Sequence, residues 1–225
     1  MGALRSILVA FDLDDTLYKE CDYVRSGYLY VARRLSDRLG VPRGRLEELV
    51  LSGDDRRHPF DRIYDELDHF VSVDEMVGMY RDHMPDLSLP DESRCCLEAL
   101  KEAGVTLALI TDGRHRGQWN KIRALGLQRY FEDDLISVSA DVGADKNEPY
   151  PWIRMENLTP WCRSRWYVGD NPRKDFYHPR ARGWNTVMLQ DDGTNVRSQN
   201  VVLPAGYMAG LTIGSLSELS HLIFF

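Results

Sequence analysis

The stretch from Ile7 to Thr16 constrains this chain most: five apolar residues, Ile7 to Phe11, end abruptly in Asp12, Asp14, Asp15 and Thr16. An unbroken apolar run of that length, without alternation, fits a strand buried on both faces, as in a parallel sheet covered by helices. The carboxylates that follow cannot join the core, because charged side chains are almost never fully buried unpaired. They belong at the carboxyl edge of the sheet, where open α/β folds place their ligands. So many acids side by side need a cation, a proton or a set of N–H donors to hold them.

From Asp91 onward, helical and strand patterns alternate. Helices are predicted over 91–103, Gln118–Leu125, near 150–158 and over 173–182. Strands are predicted at Val105–Ile110, Leu135–Ser139, Trp166–Val168 and Thr186–Leu189. That alternation predicts an α/β fold, a doubly wound parallel sheet of Rossmann-like type. Residues 18–89 read differently. Tyr23, Tyr28, Val31, Leu35 and Leu39 form a helical stripe that Gly40 stops, and amphipathic segments follow at Gly44–Leu51, Pro59–Phe70 and Val73–Met84. Pro85 to Pro90 has two prolines and no periodicity, so it reads as a linker back to the sheet. The expected division is a core of residues 1–17 and 90–225 with a small helical insert, 18–89, after the first strand. Near the end, Ser215 to Glu218 has the spacing of a capping box that starts a last short helix after Leu211–Thr212–Ile213.

Two more strand ends carry chemistry. Ile110–Thr111–Asp112–Gly113 offers a hydroxyl and a glycine turn whose backbone N–H groups can hold phosphate oxygens. Tyr167–Val168–Gly169–Asp170 leads to Asp175 and adds two carboxylates, and acids converging from two strand ends repel strongly without a divalent cation. Hard oxygen ligands suit Mg2+. There is no G-x-G-x-x-G and no Walker-type glycine loop, so dinucleotide and ATP readings lose their support. The six histidines lack metal-ligand spacing.

D-x-D-x-T at Asp12 to Thr16, Thr111, Lys146 in Val142–Gly143–Ala144–Asp145–Lys146, and G-D-x-x-x-x-D at Gly169 to Asp175 stand in the order of the four motifs of the haloacid dehalogenase (HAD) superfamily, which the chain resembles. Most members are Mg2+-dependent phosphotransferases. The resemblance implies a HAD-type core with a helical cap, and a phosphatase in which Asp12 takes the phosphoryl group as an aspartyl phosphate. Asp14 is then the general acid and base. The Asp12 carboxylate, the Asp14 carbonyl and Asp170 ligate Mg2+, with Asp175 in support directly or through water. Thr111, Asp112 and Lys146 hold the phosphoryl oxygens. Where the family usually has Pro after this lysine, the chain has Asn147.

Dehalogenases of the superfamily lack the second motif-one aspartate, so Asp14 favours the phosphatase branch. A phosphomutase shares every residue named above, and a catalytically idle binding protein with this fold is the alternative from another class. The implied substrate is a small phosphorylated metabolite, of sugar phosphate or nucleotide type, read by the cap. Tyr18, Lys19, Arg25 and the turn Asp55–Arg56–Arg57–His58 are candidates for that reading, and His115 for contact with substrate.

A net charge of -7 and a pI near 5.4 argue against a nucleic-acid or anionic-membrane partner, so an anionic substrate must be met by local charge. Four cysteines without C-x-x-C spacing read as reduced thiols, as in a cytoplasmic protein. No apolar run approaches 18 residues, and the chain opens into a core strand rather than a signal peptide. Gly2 with Ser6 and Asn157–Leu158–Thr159 match myristoylation and glycosylation patterns that are short and common by chance.

Overall fold

A computed structural model describes residues 6–52 and 58–224. Gly2, Asp55, Arg56 and Arg57 lie outside the described residues. Six parallel strands make one sheet: β1 Ile7–Phe11, β2 Thr106–Thr111, β3 Ile136–Val138, β4 Ser164–Gly169, β5 Asn185–Leu189 and β6 Leu211–Ile213, in the order β3-β2-β1-β4-β5-β6. This is the doubly wound, Rossmann-like sheet expected from the alternation. β1 lies at its centre, between β2 and β4, with Val9 opposite Leu107 on one side and Trp166 on the other. The chain leaves β1 toward β2 and later crosses to β4, so the topological switch lies beside β1 and its carboxyl end opens into a crevice.

The absence of alternation in β1 has its cause in the two layers around it. Val9 and Phe11 pack with Leu97, Leu109 and Ile122 on one face, while Leu8 and Ala10 pack with Ile110, Trp152, Tyr167 and Phe176 on the other. Burying each large apolar side chain contributes roughly 1.5–3 kcal/mol, so strand position is set by both faces at once.

Helices α1 Glu20–Leu39, α2 Arg43–Leu51, α3 Pro59–Glu66 and α4 Val73–Asp82 follow β1 and enclose their own apolar cluster, with Val31, Leu35, Leu46, Phe60, Ile63 and Met76 at its centre. α3 ends four residues before the predicted Phe70, because Asp68 and His69 take left-handed backbone (φ 48° and 65°). After the extended stretch to Pro90 come α5 Asp91–Glu102, α6 His115–Ala124, α7 Ser139–Val142, α8 Tyr150–Leu158, α9 Tyr177–Ala181 and α10 Leu219–Phe224. The helix predicted over 173–182 is confined to its last turns. Residues 171–175 form a tight turn instead, with the N–H of Lys174 and of Asp175 bonded to the Asn171 carbonyl. The capping box at Ser215 and Glu218 is present on a short 3-10 turn that leads into α10. Among the described residues no helix is long and apolar enough to cross a membrane, and no disulfide joins any of the four cysteines.

Candidate active site

Asp12 and Asp14 extend from the end of β1, Thr111 closes β2 with Asp112 after it, and Asp170 follows β4, so the sheet's parallel register brings three motifs to one edge. Lys146 reaches the same place from the loop between α7 and α8 despite Asn147. Its backbone N–H donates to Asp112 Oδ1 at 3.0 Å. Its ammonium, only 3% exposed, lies 2.7 Å from Asp12 Oδ1 and 2.7 Å from Asp175 Oδ1. One buried cation therefore joins acids from two motifs. Burial disfavours that charge, but Asp12 and Asp175 outweigh it and hold the lysine well above its ordinary value.

Asp175 is fully buried and has its oxygens filled, Oδ1 by Lys146 and by the Tyr167 hydroxyl at 3.2 Å, Oδ2 by the Asn171 N–H at 2.7 Å. Gly169 makes room for it: a Cβ there would sit 2.5 Å from Asp175 Oδ2. Asp12, Asp170 and Asp175 can each offer an oxygen within 4.8 Å of the others. Burial, together with the neighbouring acids, raises Asp12 to about 8 and Asp170 to about 9. Two of the three carboxylates rest on Lys146, while Asp170 has no ion-pair partner among the described residues. Such a crowded, all-oxygen donor set fits a hard divalent cation, which takes the place of the protons.

Asp14 is engaged differently. Its carboxylate accepts from Lys121 at 2.7 and 2.9 Å, from Gln118 at 3.2 Å and from the Tyr18 hydroxyl in a short bond. Burial opposes the charge on Asp14, yet Lys121 and these donors outweigh it and hold its carboxyl below the usual range. Gln118 also donates to Thr111 Oγ1 at 2.8 Å and to the Asp112 carbonyl at 2.7 Å, so one amide ties the two strand ends together. Gly113 allows this, since a Cβ there would lie 2.8 Å from the Gln118 side chain. Asp112 itself is taken by Lys146 and by Lys174, the latter at 3.0 Å. Any phosphate contact at Asp112 therefore falls to its backbone.

Sequence reasoning missed Gln118 and Lys121. A signal existed, because 118, 121, 122 and 125 have the spacing of an inward helix face, and all four are buried. Asp15, one of the acids expected at the sheet edge, is held there by N–H donors: its two oxygens take the N–H of Glu20 at 2.9 Å and of Val196 at 2.8 Å and so tie the start of α1 to the loop after β5.

The acids line a cavity of about 680 Å3 together with Glu20, Thr111, Lys146, Arg173, Lys174, Val196, Arg197 and Ser198. Among the described residues, none of those proposed to read the substrate lines this cavity. Tyr18 is bound to Asp14, Lys19 to Asp192 and Asn195, and His115 to Asp141 at 2.6 Å. Arg25 lines a separate cleft of about 380 Å3 with Arg33 and Asp86.

Comparison with known proteins agrees with this arrangement. Residues 9–189 match the family described as haloacid dehalogenase-like hydrolase. The chain is 24% identical to glyceraldehyde 3-phosphate phosphatase of Methanocaldococcus jannaschii over 96% of each chain. It is 29% identical to phosphoglycolate phosphatase of Neisseria meningitidis over 83% of this chain and 86% of that one. Its fold is similar to that of a HAD-superfamily hydrolase from Geobacter sulfurreducens, with a TM-score of 0.65, 18% identity and 97% of each chain covered. With its motif residues gathered at one sheet edge and the match spanning most of its length, this chain belongs to the haloacid dehalogenase-like hydrolase family.

Proposed function

We propose that the protein is a Mg2+-dependent phosphatase that hydrolyses a small phosphate monoester through an aspartyl phosphate on Asp12. The observation that carries this reading is the Lys146 ammonium 2.7 Å from both Asp12 and Asp175, with Asp170 beside them and Thr111 on the same cavity wall. A nucleophilic carboxylate facing a dianionic phosphate needs positive charge on the spot, and preorganised charge of this kind is the main electrostatic lever for the reaction. Two relatives named as phosphatases of small metabolites support the substrate class.

In the proposed division of labour, Asp12 and Asp170 would hold Mg2+ together with the Asp14 carbonyl, with Asp175 behind them. The cation would supply charge neutralisation at the phosphoryl oxygens. Asp12 attacks phosphorus, the bond to the leaving oxygen breaks, and Asp14 donates a proton to that oxygen. Asp14 then takes a proton from water as the water attacks phosphorus, and the bond to Asp12 breaks. Thr111, the backbone N–H groups after it and Lys146 receive the phosphoryl oxygens. Asp14 must carry a proton before the first step although Lys121 favours its ionised form; to take one up it must give up one hydrogen bond, and the 3.2 Å contact from Gln118 is the longest that it has. We also assign residues 18–89 to a cap over the core, a reading supported by their separate apolar cluster.

Release of phosphate from 4-nitrophenyl phosphate tests the reading. Activity vanishes in a chelator, returns with Mg2+ and is absent in Asp12→Asn. Full turnover in the chelator, or isomerisation of a sugar phosphate without phosphate release, would overturn it.

A further inference from the structure

One wall of the acid-lined cavity is unused by the chemistry proposed above. Beyond the acids, Thr111, Lys146 and Lys174, it is lined by Arg173, Val196, Arg197 and Ser198. Residues 191–199 have no helix or strand, yet they are fixed to the site at several points. The Val196 N–H donates to Asp15 Oδ2 at 2.8 Å and Asn195 to Asp170 Oδ2 at 3.2 Å, while Gln199 donates to the Asp170 carbonyl at 2.9 Å and to the Leu189 carbonyl at 2.7 Å. Within the loop, Asp191 Oδ1 accepts from the N–H groups of Gly193 and Asn195. Arg197 and Ser198 therefore stand between anchors that are tied to the ends of β1, β4 and β5.

The cations around the cavity divide into two kinds. Lys121, Lys146 and Lys174 each rest on an aspartate. Arg173 and Arg197 are exposed, and neither has an ion-pair partner among the described residues. Arg197 lines the cavity together with Glu20, whose carboxyl is raised to about 6 by burial and by the charge of Asp14, an effect that the Lys121 and Arg197 charges counteract. A free guanidinium is a planar fork of donors matched to carboxylate and phosphate. The helical insert, by contrast, contributes only Glu20 to this wall among the described residues.

We infer that Arg173 and Arg197 form a second anion subsite, so that the substrate is a phosphate monoester carrying a further anionic group, carboxylate or phosphate, in its leaving group. This rests on the phosphatase reading and moves leaving-group selection from the insert to the turn after β4 and the loop after β5. A cavity of about 680 Å3 has room for both groups.

Matched ester pairs test it, with Mg2+ present and phosphate release as the readout. 2-Phosphoglycolate is set against 2-hydroxyethyl phosphate, and propane-1,3-diol bisphosphate against its monophosphate. The acidic member of at least one pair has the higher kcat/KM by about tenfold to hundredfold, the range of a charged hydrogen bond. Which pair shows it tells carboxylate from phosphate. Arg197→Ala and Arg173→Ala each lower that ratio at least tenfold, Arg197→Lys restores part of it, and Arg197→Glu reverses the preference. Thermal melting of each variant confirms that it is folded. A wild type that hydrolyses all four esters without favouring the acidic ones overturns the subsite and leaves the phosphatase reading standing. So does a preference that survives both alanine variants. If no ester, 4-nitrophenyl phosphate included, releases phosphate, the phosphatase reading fails and takes the subsite with it.

Discussion

Asp14 accepts four hydrogen bonds from three side chains, which fills the lone-pair sites of a carboxylate, and the strongest partner is a lysine only 6% exposed. Neither charge of this pair tolerates the loss of the other. Lys121→Met therefore costs about 3 kcal/mol of stability, the usual cost of leaving one half of a buried pair. The double variant with Asp14→Asn costs less than the sum of the singles, and urea denaturation of the four proteins measures the difference. Strict additivity would show that the contact carries no energy. On activity, Asp14→Asn slows turnover by on the order of 10^2 to 10^4 and lets phosphate accumulate on Asp12, where peptide mass analysis finds it. Label on any other residue refutes the assignment. The motif acids were legible in the sequence because carboxylates directly after a buried apolar strand can be accommodated only at the sheet edge, where a counter-charge must meet them. Lys121 and Gln118 were not, because a polar residue on a helix is ordinarily solvated and only the third dimension shows the acid it faces.

Among the elements, the central strand was the easiest to read and the short ones the hardest. β1, β2, β4 and β5 announce themselves as apolar runs. α7, with four residues, and β6, with three, are too short to show a period, and β6 forms because β5 offers it an open edge. The over-long helix assigned to 173–182 fails for a related reason. Its first residues have helix-compatible identities, but they serve to fold Asp175 back onto the end of β4. Gly169 is the residue that permits this, and Gly169→Ala drives a methyl into Asp175 Oδ2. Overpacking at this point costs about 1–3 kcal/mol and pushes the carboxylate off Lys146, so activity falls along with thermal stability. Gly44→Ala is the contrasting substitution. It lies in α2 with open space around its Cβ position, and it leaves stability unchanged or raises it by up to about 1 kcal/mol. Equal losses at the two glycines would mean that the close approach of Asp175 is not what requires Gly169.

For the molecule as a whole, the gathering of acids at one sheet edge links stability to pH and to metal. Burial and mutual repulsion raise Asp12 to about 8 and Asp170 to about 9 from an ordinary value of 3.8, so in this range the native state binds protons that the unfolded chain has released. Stability rises with pH only where the unfolded state binds more protons, and here it binds fewer. The metal-free protein therefore loses stability as pH rises from 7 toward 8.5. Two other groups leave this window undisturbed. His83, kept neutral by burial, titrates below it, and Asp14, held below the usual carboxylate range, contributes its stability throughout. A divalent cation on Asp12 and Asp170 replaces the protons, so the rise in Tm on adding Mg2+ grows from pH 7 to pH 8.5 as the competing protons leave. Binding at pH 7 also releases protons, and the heat of titration then varies with the ionisation enthalpy of the buffer. In Asp170→Asn both the pH slope of the metal-free protein and the buffer dependence shrink, because one of the two raised carboxylates is gone. A Tm that is flat from pH 7 to pH 8.5 without metal, together with a Mg2+ shift that does not change with pH, would contradict this linkage and with it the view that the cation stands where the protons otherwise sit.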